Sequence, residues 1–298
     1  MDRSKKTKTE PKADGTRDEI EIFENPSKKI DIGTLLESRL LICANSGGGK
    51  SYAVRKILEK SHKKILPVVL DIEGEFQSLK EKFNFLLIGG PNGDVPLDIK
   101  TAGSLPKKIL ERNIPTIIDI SELKKEARIK FVKEFLDGLM ELDKKYWKPL
   151  LIFLDEAHQF AGQHGKEDSV WAVIDLMTRG RKRGYCGILC TQRIAKLHKD
   201  AAAEANNIMV GRTLLDIDAK RAADMLGFSK RRQRRALHSL EPGEFMCSGP
   251  AFSFKGVEKQ KVAKVATTHI QKKPLVSELD IPDAAAIAAA WDKRKLRA

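Results

Sequence analysis

Several segments of the chain are apolar at consecutive positions, and segments of helical periodicity separate them. A strand that is apolar on both faces has to be covered on both faces, and a parallel sheet flanked by helices provides that cover. The pattern therefore predicts an α/β fold, with a mainly parallel sheet sandwiched by helices. The segments expected to form strands are LLICA, ILPVVLDIE, FNFLLIGG, PTIIDIS, PLLIFLDE, CGILCTQ and NNIMVGRT. The expected helices cover about residues 51–60, 122–144, 169–182 and 216–226.

The two ends of the chain differ from this core. Residues 1–27 are rich in charge and indicate a disordered basic arm, which leaves residues 28–250 for the main domain. Further on, the short alternating runs GEFMCSG and KVAKVATTH predict an antiparallel β addition. The last residues, IPDAAAIAAAWDKRKLRA, predict a separate helix with Asp283 at its N-cap and Trp291 as its large apolar anchor. Residues 251–298 are thus expected to form a C-terminal β extension and a helical tail.

The charge of the chain is unbalanced. Lys and Arg total 55 against 41 Asp and Glu, a formal net charge of +14, and the excess is clustered. Such clusters indicate a polyanionic partner such as DNA, although each one alone is also typical of a solvated helix face or tail. The clusters are RGRKRG at 179–184, KRRQRR at 230–235 and DKRKLR at 292–297. An aromatic content of 6% argues against a platform for stacking single-stranded bases and favours duplex DNA.

The apolar runs and the cysteines indicate the compartment. No apolar run is long enough to span a bilayer, and the charged N-terminus has no signal sequence. We therefore expect a cytoplasmic protein without membrane insertion. Because the cysteines lie in apolar stretches without the spacing of a zinc site, we expect them to be buried free thiols. They are Cys43, Cys186, Cys190 and Cys247.

The glycine-rich stretch ANSGGGKS follows the apolar segment LLIC and precedes an expected helix. Glycines let the backbone curl so that the N–H groups of a helix N-terminus converge on an anion. The stretch therefore predicts a phosphate cradle, in which Lys50 reaches the β- and γ-phosphates of ATP and Ser51 coordinates Mg²⁺. Ala44 stands in place of the first glycine of the usual pattern, which requires an ordinary backbone conformation there. The expected nucleotide-binding residues are Asn45, Ser46, Gly47, Gly48, Gly49, Lys50, Ser51 and Tyr52.

Two acidic residues directly follow the apolar segment PLLIFL. Asp155 is expected to hold Mg²⁺, as the aspartate of a Walker B motif does, and Glu156 to orient and polarise the attacking water. A glutamate at position 156, directly after the aspartate, indicates hydrolysis because it can activate water. Gln192 ends the segment CGILCTQ and would lie beside the γ-phosphate if its strand is next to the cradle strand. The alternative for Gln192 is a helix cap.

In their order along the chain, these elements resemble the HerA/FtsK superfamily of P-loop motor ATPases, and HerA-like proteins in particular. The resemblance covers about residues 28–250 and includes VVLDIEGEF, LIFLDEAHQF and MTRGRKRGYCGILCTQR besides the cradle. It implies a RecA-like core that assembles into a ring, usually a hexamer, with ATP between subunits and duplex DNA in the pore. It also implies functional roles for the cradle, metal and sensor residues, namely Lys50, Ser51, Asp155, Glu156 and Gln192.

The resemblance further implies an arginine from a neighbouring subunit that stabilises charge on the transferred phosphoryl group. The candidates are Arg179, Arg181, Arg183 and Arg212. For each of them, contact with DNA or solvent is the alternative. Asp71 and Glu75 occupy an acidic stretch similar to one in the family, and would either support the site or cap a turn.

HerA proteins commonly carry an N-terminal β-barrel domain that docks a partner, typically a nuclease. Only about forty residues precede the cradle here, too few for such a barrel, so we do not expect the docking that the barrel provides; a nuclease or other protein stays a candidate partner. The leading hypothesis is an ATP-driven DNA translocase or helicase-like motor. The alternatives are a P-loop ATPase that acts on protein, of the secretion or assembly type, and a nucleotide-dependent DNA-binding module. The stretch SKRRQRRALHSL is expected to be either a helix that enters the pore or a flexible basic loop.

Overall fold

A nine-stranded sheet with helices on both faces forms the centre of the molecule, as a computed structural model of residues 18–165 and 167–269 shows. The strands are β1 Glu19–Ile20, β2 Ile30–Asp31, β3 Leu40–Cys43, β4 Leu66–Asp71, β5 Leu86–Ile88, β6 Thr116–Asp119, β7 Leu150–Leu154, β8 Tyr185–Thr191, β9 Asn207–Val210, β10 Glu244–Ser248 and β11 Glu258–Lys261. The α-helices are α1 Ile32–Ser38, α2 Lys50–Ser61, α3 Leu105–Arg112, α4 Lys125–Met140, α5 Val170–Arg179, α6 Lys199–Ala203, α7 Asp216–Met225 and α8 Arg231–Ala236.

The strand order across the sheet is β11-β10-β9-β3-β8-β7-β4-β6-β5. From β9 to β5 all neighbours are parallel, whereas β10 is antiparallel to β9 and β11 to β10. The predicted parallel sheet with a small antiparallel extension is confirmed. Because parallel strands end at the same edge, the loops that follow β3, β4, β7 and β8 all lie on one side of the sheet.

Both faces of the sheet are packed, as β3 illustrates. Leu41 and Cys43 belong to the core beneath α4 and α5, whereas Leu40 and Ile42 belong to the core beneath α1 and α2. Successive side chains of a strand point to opposite faces, so a strand between two helical layers has no position for a polar residue. This burial on both faces explains why the strand sequences are continuously apolar.

The fold begins earlier than composition predicted. Residues 18–27, which were assigned to a disordered arm, contain β1 and the buried side chains of Ile22 and Phe23. Phe23 forms a β-bridge with Val262, so these residues are held by the far end of the described chain. Residues 1–17 lie outside the described residues.

The C-terminal part also differs from the prediction. A strand was expected within KVAKVATTH, but β11 lies earlier, and residues 263–269 run along α2 instead of joining the sheet. We call residues 263–269 the C-terminal strap. The N–H groups of Val265, Ala266 and Thr267 donate to the side chains of Tyr52 and Glu59, which takes the place of strand pairing. The predicted terminal helix with Asp283 and Trp291 lies outside the described residues.

Two smaller expectations concern the cysteines and the membrane. All four cysteines are buried and free, as predicted. Across residues 18–165 and 167–269, none of the helices combines the length and the apolar character of a membrane span.

Candidate functional site

The predicted site residues follow strands that end at one edge of the sheet. Strand β8 pairs with β3 on one side and with β7 on the other. Gln192, directly after β8, therefore lies between the cradle that follows β3 and the acids Asp155 and Glu156 that follow β7. We expected Gln192 beside the γ-phosphate only if its strand is next to the cradle strand, and β8 is indeed next to β3.

The loop between β3 and α2 has the backbone of an anion cradle. Gly47 and Gly49 have positive φ angles of 70° and 96°. A Cβ atom at Gly49 would lie 2.6 Å from the backbone nitrogen of Gly243, so only glycine fits there without moving the loop before β10. Ala44 is not among the described non-glycine residues with positive φ. Its replacement of the usual first glycine therefore causes no backbone strain.

Lys50 is the first residue of α2 and is buried. Its ammonium group donates to Asp155 Oδ1 and lies 3.0 Å from Glu156 Oε1. Burial lowers the pKa of Lys50, but the charges of Asp155 and Glu156 outweigh this effect and hold the pKa above its usual value. The lysine is therefore charged, and it joins the cradle to both acids.

Glu156 is held by a network of side chains. Its carboxylate accepts hydrogen bonds from Gln192 Nε2 at 2.8 Å and Gln192 N at 3.2 Å, and lies 3.2 Å from His158 Nδ1. Burial would raise the pKa of Glu156, but the hydrogen bond from His158, the charge of Lys50 and the amide of Gln192 lower it to about 2. Its backbone is left-handed, with φ 44° and ψ 45°, a conformation that costs a non-glycine residue roughly 1–3 kcal/mol. The network holds an ionised acid in a strained position, as is common at active sites.

Asp155 has one carboxylate oxygen for Lys50 and a second one that is buried without a hydrogen-bond partner among the described residues. Burial raises the pKa of Asp155, and Lys50 opposes this rise. A buried oxygen with no partner is costly, and a cation would satisfy it. Mg²⁺ is usually bound through one or two protein oxygens plus phosphates and water. Asp155, together with the half-buried Ser51 in the first turn of α2, fits that requirement.

Asp71 ends β4 and shapes the loop that follows it. Its carboxylate accepts hydrogen bonds from the backbone of Gly74 and Phe76, each at 2.9 Å. Burial, with the charge of Asp155 adding to it, raises the pKa of Asp71 to about 7. Of the two predicted acids in this stretch, Asp71 therefore has the contacts of a turn cap, whereas Glu75 lines the cleft described next.

A cleft of about 930 Å³ contains the cradle. All predicted nucleotide-binding residues except the buried Gly48 line this cleft. The opposite wall consists of the loop before β10 and of the segment from β11 into the C-terminal strap. Further lining residues are Glu73, Glu75, Gln192, Val262, Lys264 and His269.

The arginine candidates lie in two places. Arg179, Arg181 and Arg183 precede β8 at the amino edge of the sheet, and the seven residues of β8 separate them from the cleft by about 20 Å. The structure does not bring them to the cleft of their own chain. Arg212 instead follows β9 beside the cradle, where its carbonyl accepts a hydrogen bond from Asn45 N at 2.8 Å.

Two parts of the site were not predicted from the sequence. His158 Nδ1 lies 2.9 Å from Thr191 Oγ1 as well as near Glu156, and so links the strand ends of β7 and β8. The sequence signal for this contact is a histidine two positions after Glu156, close enough to contact the carboxylate. The C-terminal strap had no such signal, because its partners lie on a helix about two hundred residues earlier.

The cradle, the lysine shared by two acids and the glutamine on the intervening strand define a P-loop ATPase with a RecA-like fold. Residues 24–209 match the family model for the central domain of helicase HerA. The match covers more than half of the chain, and the chain belongs to this family of P-loop ATPases of the HerA/FtsK type. No curated protein matches the chain in sequence.

Solved structures share the fold at low sequence identity. The genome packaging NTPase B204 of Sulfolobus turreted icosahedral virus 2, in complex with ATP-γS, is 16% identical with a TM-score of 0.52, over 76% of this chain and 98% of B204. The bacterial conjugative coupling protein TrwBdeltaN70 is 12% identical with a TM-score of 0.61, over 86% of this chain and 91% of the TrwBdeltaN70 chain. VirB4 of Thermoanaerobacter pseudethanolicus is 13% identical with a TM-score of 0.58, over 88% of this chain and 98% of VirB4.

Proposed function

We propose that the protein is a DNA motor that hydrolyses Mg-ATP and works as a ring of subunits. The observation that carries the hydrolytic part is the ionised, buried Glu156 beside the cradle lysine. When bound, Mg-ATP would supply the phosphoryl group that is transferred to water. Lys50 would hold the phosphates, Ser51 and Asp155 would hold Mg²⁺, and Glu156 would orient and polarise the water.

The network around Glu156 supports a role in timing hydrolysis. Lys50 and Gln192 both contact its carboxylate. Lys50 would also hold the phosphates, and Gln192 would be the group that responds to the γ-phosphate. The position of Gln192 between the two motifs supports a sensor role over a helix cap.

Helix α8 supports DNA as the polymer on which the motor acts. Arg231, Arg232 and Arg235 are exposed and Arg234 is half-buried, and none of the four pairs with an acid among the described residues. Unpaired arginines on one short helix suit phosphate contacts whose strength falls with salt. B204 is described as a DNA-packaging ATPase, and its shared fold is consistent with this proposal.

A chain of hydrogen bonds connects α8 to the cradle. The N–H of Thr213 donates to the carbonyl of Leu237 just after α8, at 3.0 Å. The next residue, Leu214, donates its N–H to Asn45 Oδ1 in the cradle at 2.6 Å. A shift of Asn45 on nucleotide binding would therefore be transmitted to α8 through the hydrogen bonds of Leu214 and Thr213.

The exposed apolar side chains beside the cradle are the observation that supports assembly into a ring. Leu214 is 58% and Ile217 64% exposed, which is unusual for residues of this size. A neighbouring subunit that covers them would border the nucleotide cleft. In such a ring, Arg181 or Arg183 at the amino edge of the sheet would reach the cleft of a neighbouring subunit and stabilise charge on the phosphoryl group there. Arg212 would instead act on the cleft of its own subunit.

The test is the steady-state rate of ATP hydrolysis with and without duplex DNA. DNA should raise the rate, and both Lys50→Ala and Glu156→Gln should abolish it, with Glu156→Gln still binding ATP. Hydrolysis that ignores DNA would favour an ATPase that acts on protein. Nucleotide binding without hydrolysis would favour a DNA-binding module.

The interaction with DNA has a separate test. Neutralising Arg231, Arg232, Arg234 and Arg235 should weaken duplex binding and lower the salt slope by about one for each arginine that binds a phosphate. The control changes the same number of exposed charges at the opposite edge of the sheet, namely Lys107, Lys108, Lys144 and Lys145. Equal effects of the two sets would refute the assignment to α8.

A further inference from the structure

One part of the cleft lies beside the start of α2, where the C-terminal strap contacts Tyr52. Tyr52, Val262, Lys264 and His269 line this end. The whole cleft measures about 930 Å³, which is the size of a site for a complete small molecule rather than for a phosphate group alone. Of these residues only Tyr52 has been assigned to the nucleotide, and Val262, Lys264 and His269 have no assigned ligand.

The C-terminal strap forms one wall of this end and is firmly attached to α2. The carboxylate of Glu59 accepts hydrogen bonds from Ala266 N at 2.8 Å, Thr267 N at 2.9 Å and Thr267 Oγ1 at 2.8 Å. Arg55 donates to Thr267 Oγ1 at 3.0 Å from the same helix. Two buried charged side chains therefore fix a short segment of irregular backbone, which keeps the wall in place.

Two rings meet at this end. The rings of Tyr52 and His269 lie 5.7 Å apart at 81°, and the Tyr52 hydroxyl accepts a hydrogen bond from Val265 N at 2.9 Å. The Nδ1 atom of His269 is buried and has no hydrogen-bond partner among the described residues. Burial, together with the nearby charge of Arg55, lowers the pKa of His269, so its ring is neutral near pH 7. A neutral imidazole can pair with an amino group or a ring nitrogen.

We infer that Tyr52 and the C-terminal strap form a subsite for the nucleobase of the bound nucleoside triphosphate. The base would lie against the Tyr52–His269 pair, with Val262 as an apolar neighbour and the neutral imidazole of His269 as a hydrogen-bonding group. The inference rests on the proposed function insofar as the ligand of the cradle is a nucleotide. It adds that the base, and not only the triphosphate, contributes to affinity.

The first experiment compares Mg-ATP with inorganic tripolyphosphate, which has no base or ribose, by titration calorimetry. Wild-type protein should bind ATP at least tenfold more tightly. His269→Ala should weaken ATP about tenfold and leave tripolyphosphate unchanged, because stacking and pairing with the base are removed. Thr268→Ala, an exposed neighbour in the strap that does not line the cleft, should change neither.

The second experiment locates the base without altering the strap. The photoreactive analogue 2-azido-ATP should label wild-type protein in the tryptic peptide that begins at Val265, or at Tyr52, and excess ATP should prevent the labelling. Labelling elsewhere, or equal affinity for ATP and tripolyphosphate, would overturn the subsite while leaving the ATPase proposal intact. Failure of the wild-type protein to bind either compound would overturn the cradle and the subsite together.

Discussion

Lys50→Met removes the cation that lies between two buried acids and keeps most of the side-chain volume. The side chains of Lys50, Asp155 and Glu156 are 7%, 4% and 3% exposed, so water can do little to replace the missing charge. The variant should be less stable than the wild type at neutral pH. The deficit should shrink in acid, because the two carboxylates left without their cation can then take up protons.

The lowered pKa of Glu156 sets the magnitude. The wild-type value of about 2, against an ordinary value of 4.5, corresponds to about 3 kcal/mol of stability at 1.36 kcal/mol per pKa unit. This stability is fully present above pH 4.5 and is lost as the pH falls toward 2. Lys50 supplies only part of it, but its removal also leaves Asp155 unpaired. We therefore expect a loss of about 3 kcal/mol at pH 7, at the lower end of about 3–5 kcal/mol for a broken buried pair.

Urea unfolding followed by circular dichroism at several pH values between about 3 and 8 measures this loss. Lys60→Met is the matched control, because Lys60 lies exposed in the last turn of the same helix and should change stability by less than about 0.5 kcal/mol. A deficit for Lys50→Met below about 1 kcal/mol at pH 7, or one that stays constant down to about pH 3, would refute the reasoning.

Three further variants test other parts of the site. Glu59→Ala removes the acceptor of three strap hydrogen bonds, so trypsin should cleave within the strap at least tenfold faster; an unchanged rate would contradict the anchoring role. Gly49→Ala should abolish ATP binding in calorimetry, whereas Gly227→Ala, at φ 71° in open space, should only lower stability by about 1 kcal/mol; retained binding by the first variant would show that the cradle tolerates a side chain. His158→Ala should lower kcat about tenfold at unchanged ATP affinity. Because the pKa of Glu156 rises without the hydrogen bond from His158, the acid limb of the kcat–pH profile should move to higher pH. An acid limb that does not move would limit His158 to a structural role.

The sheet and the cradle could be predicted because their physical causes are local. Burial on both faces leaves a continuous apolar run in each strand, and the glycines of the cradle stand next to the residues they position. Asp155, Glu156 and Gln192 were predicted for a related reason. Each directly follows a strand, and parallel strands end at a common edge, so adjacency in sequence to a strand implies proximity in space.

The errors arose where distant contacts decide the structure. KVAKVATTH alternates like a strand, but Glu59, 207 residues before Ala266, offers its carboxylate to the backbone of that segment in place of a neighbouring strand. Residues 18–27 were judged by their average charge, which hides the few apolar side chains that anchor them. Similarly, the pairing of His158 with Thr191 depends on two strands being neighbours, which the sequence alone does not state.

The attachment of the C-terminal strap has a consequence for synthesis of the protein. Arg55 in the helix after the cradle donates to Thr267, 212 residues later in the chain. On a ribosome, the cradle is therefore made long before the segment that completes its cleft. A chain made as far as Gly243 contains the partners described for the phosphate-binding loop, namely Arg212, Leu214 and Gly243 itself, but not the strap. With the nucleobase subsite proposed above, full nucleotide affinity would be restricted to chains whose synthesis has passed the strap.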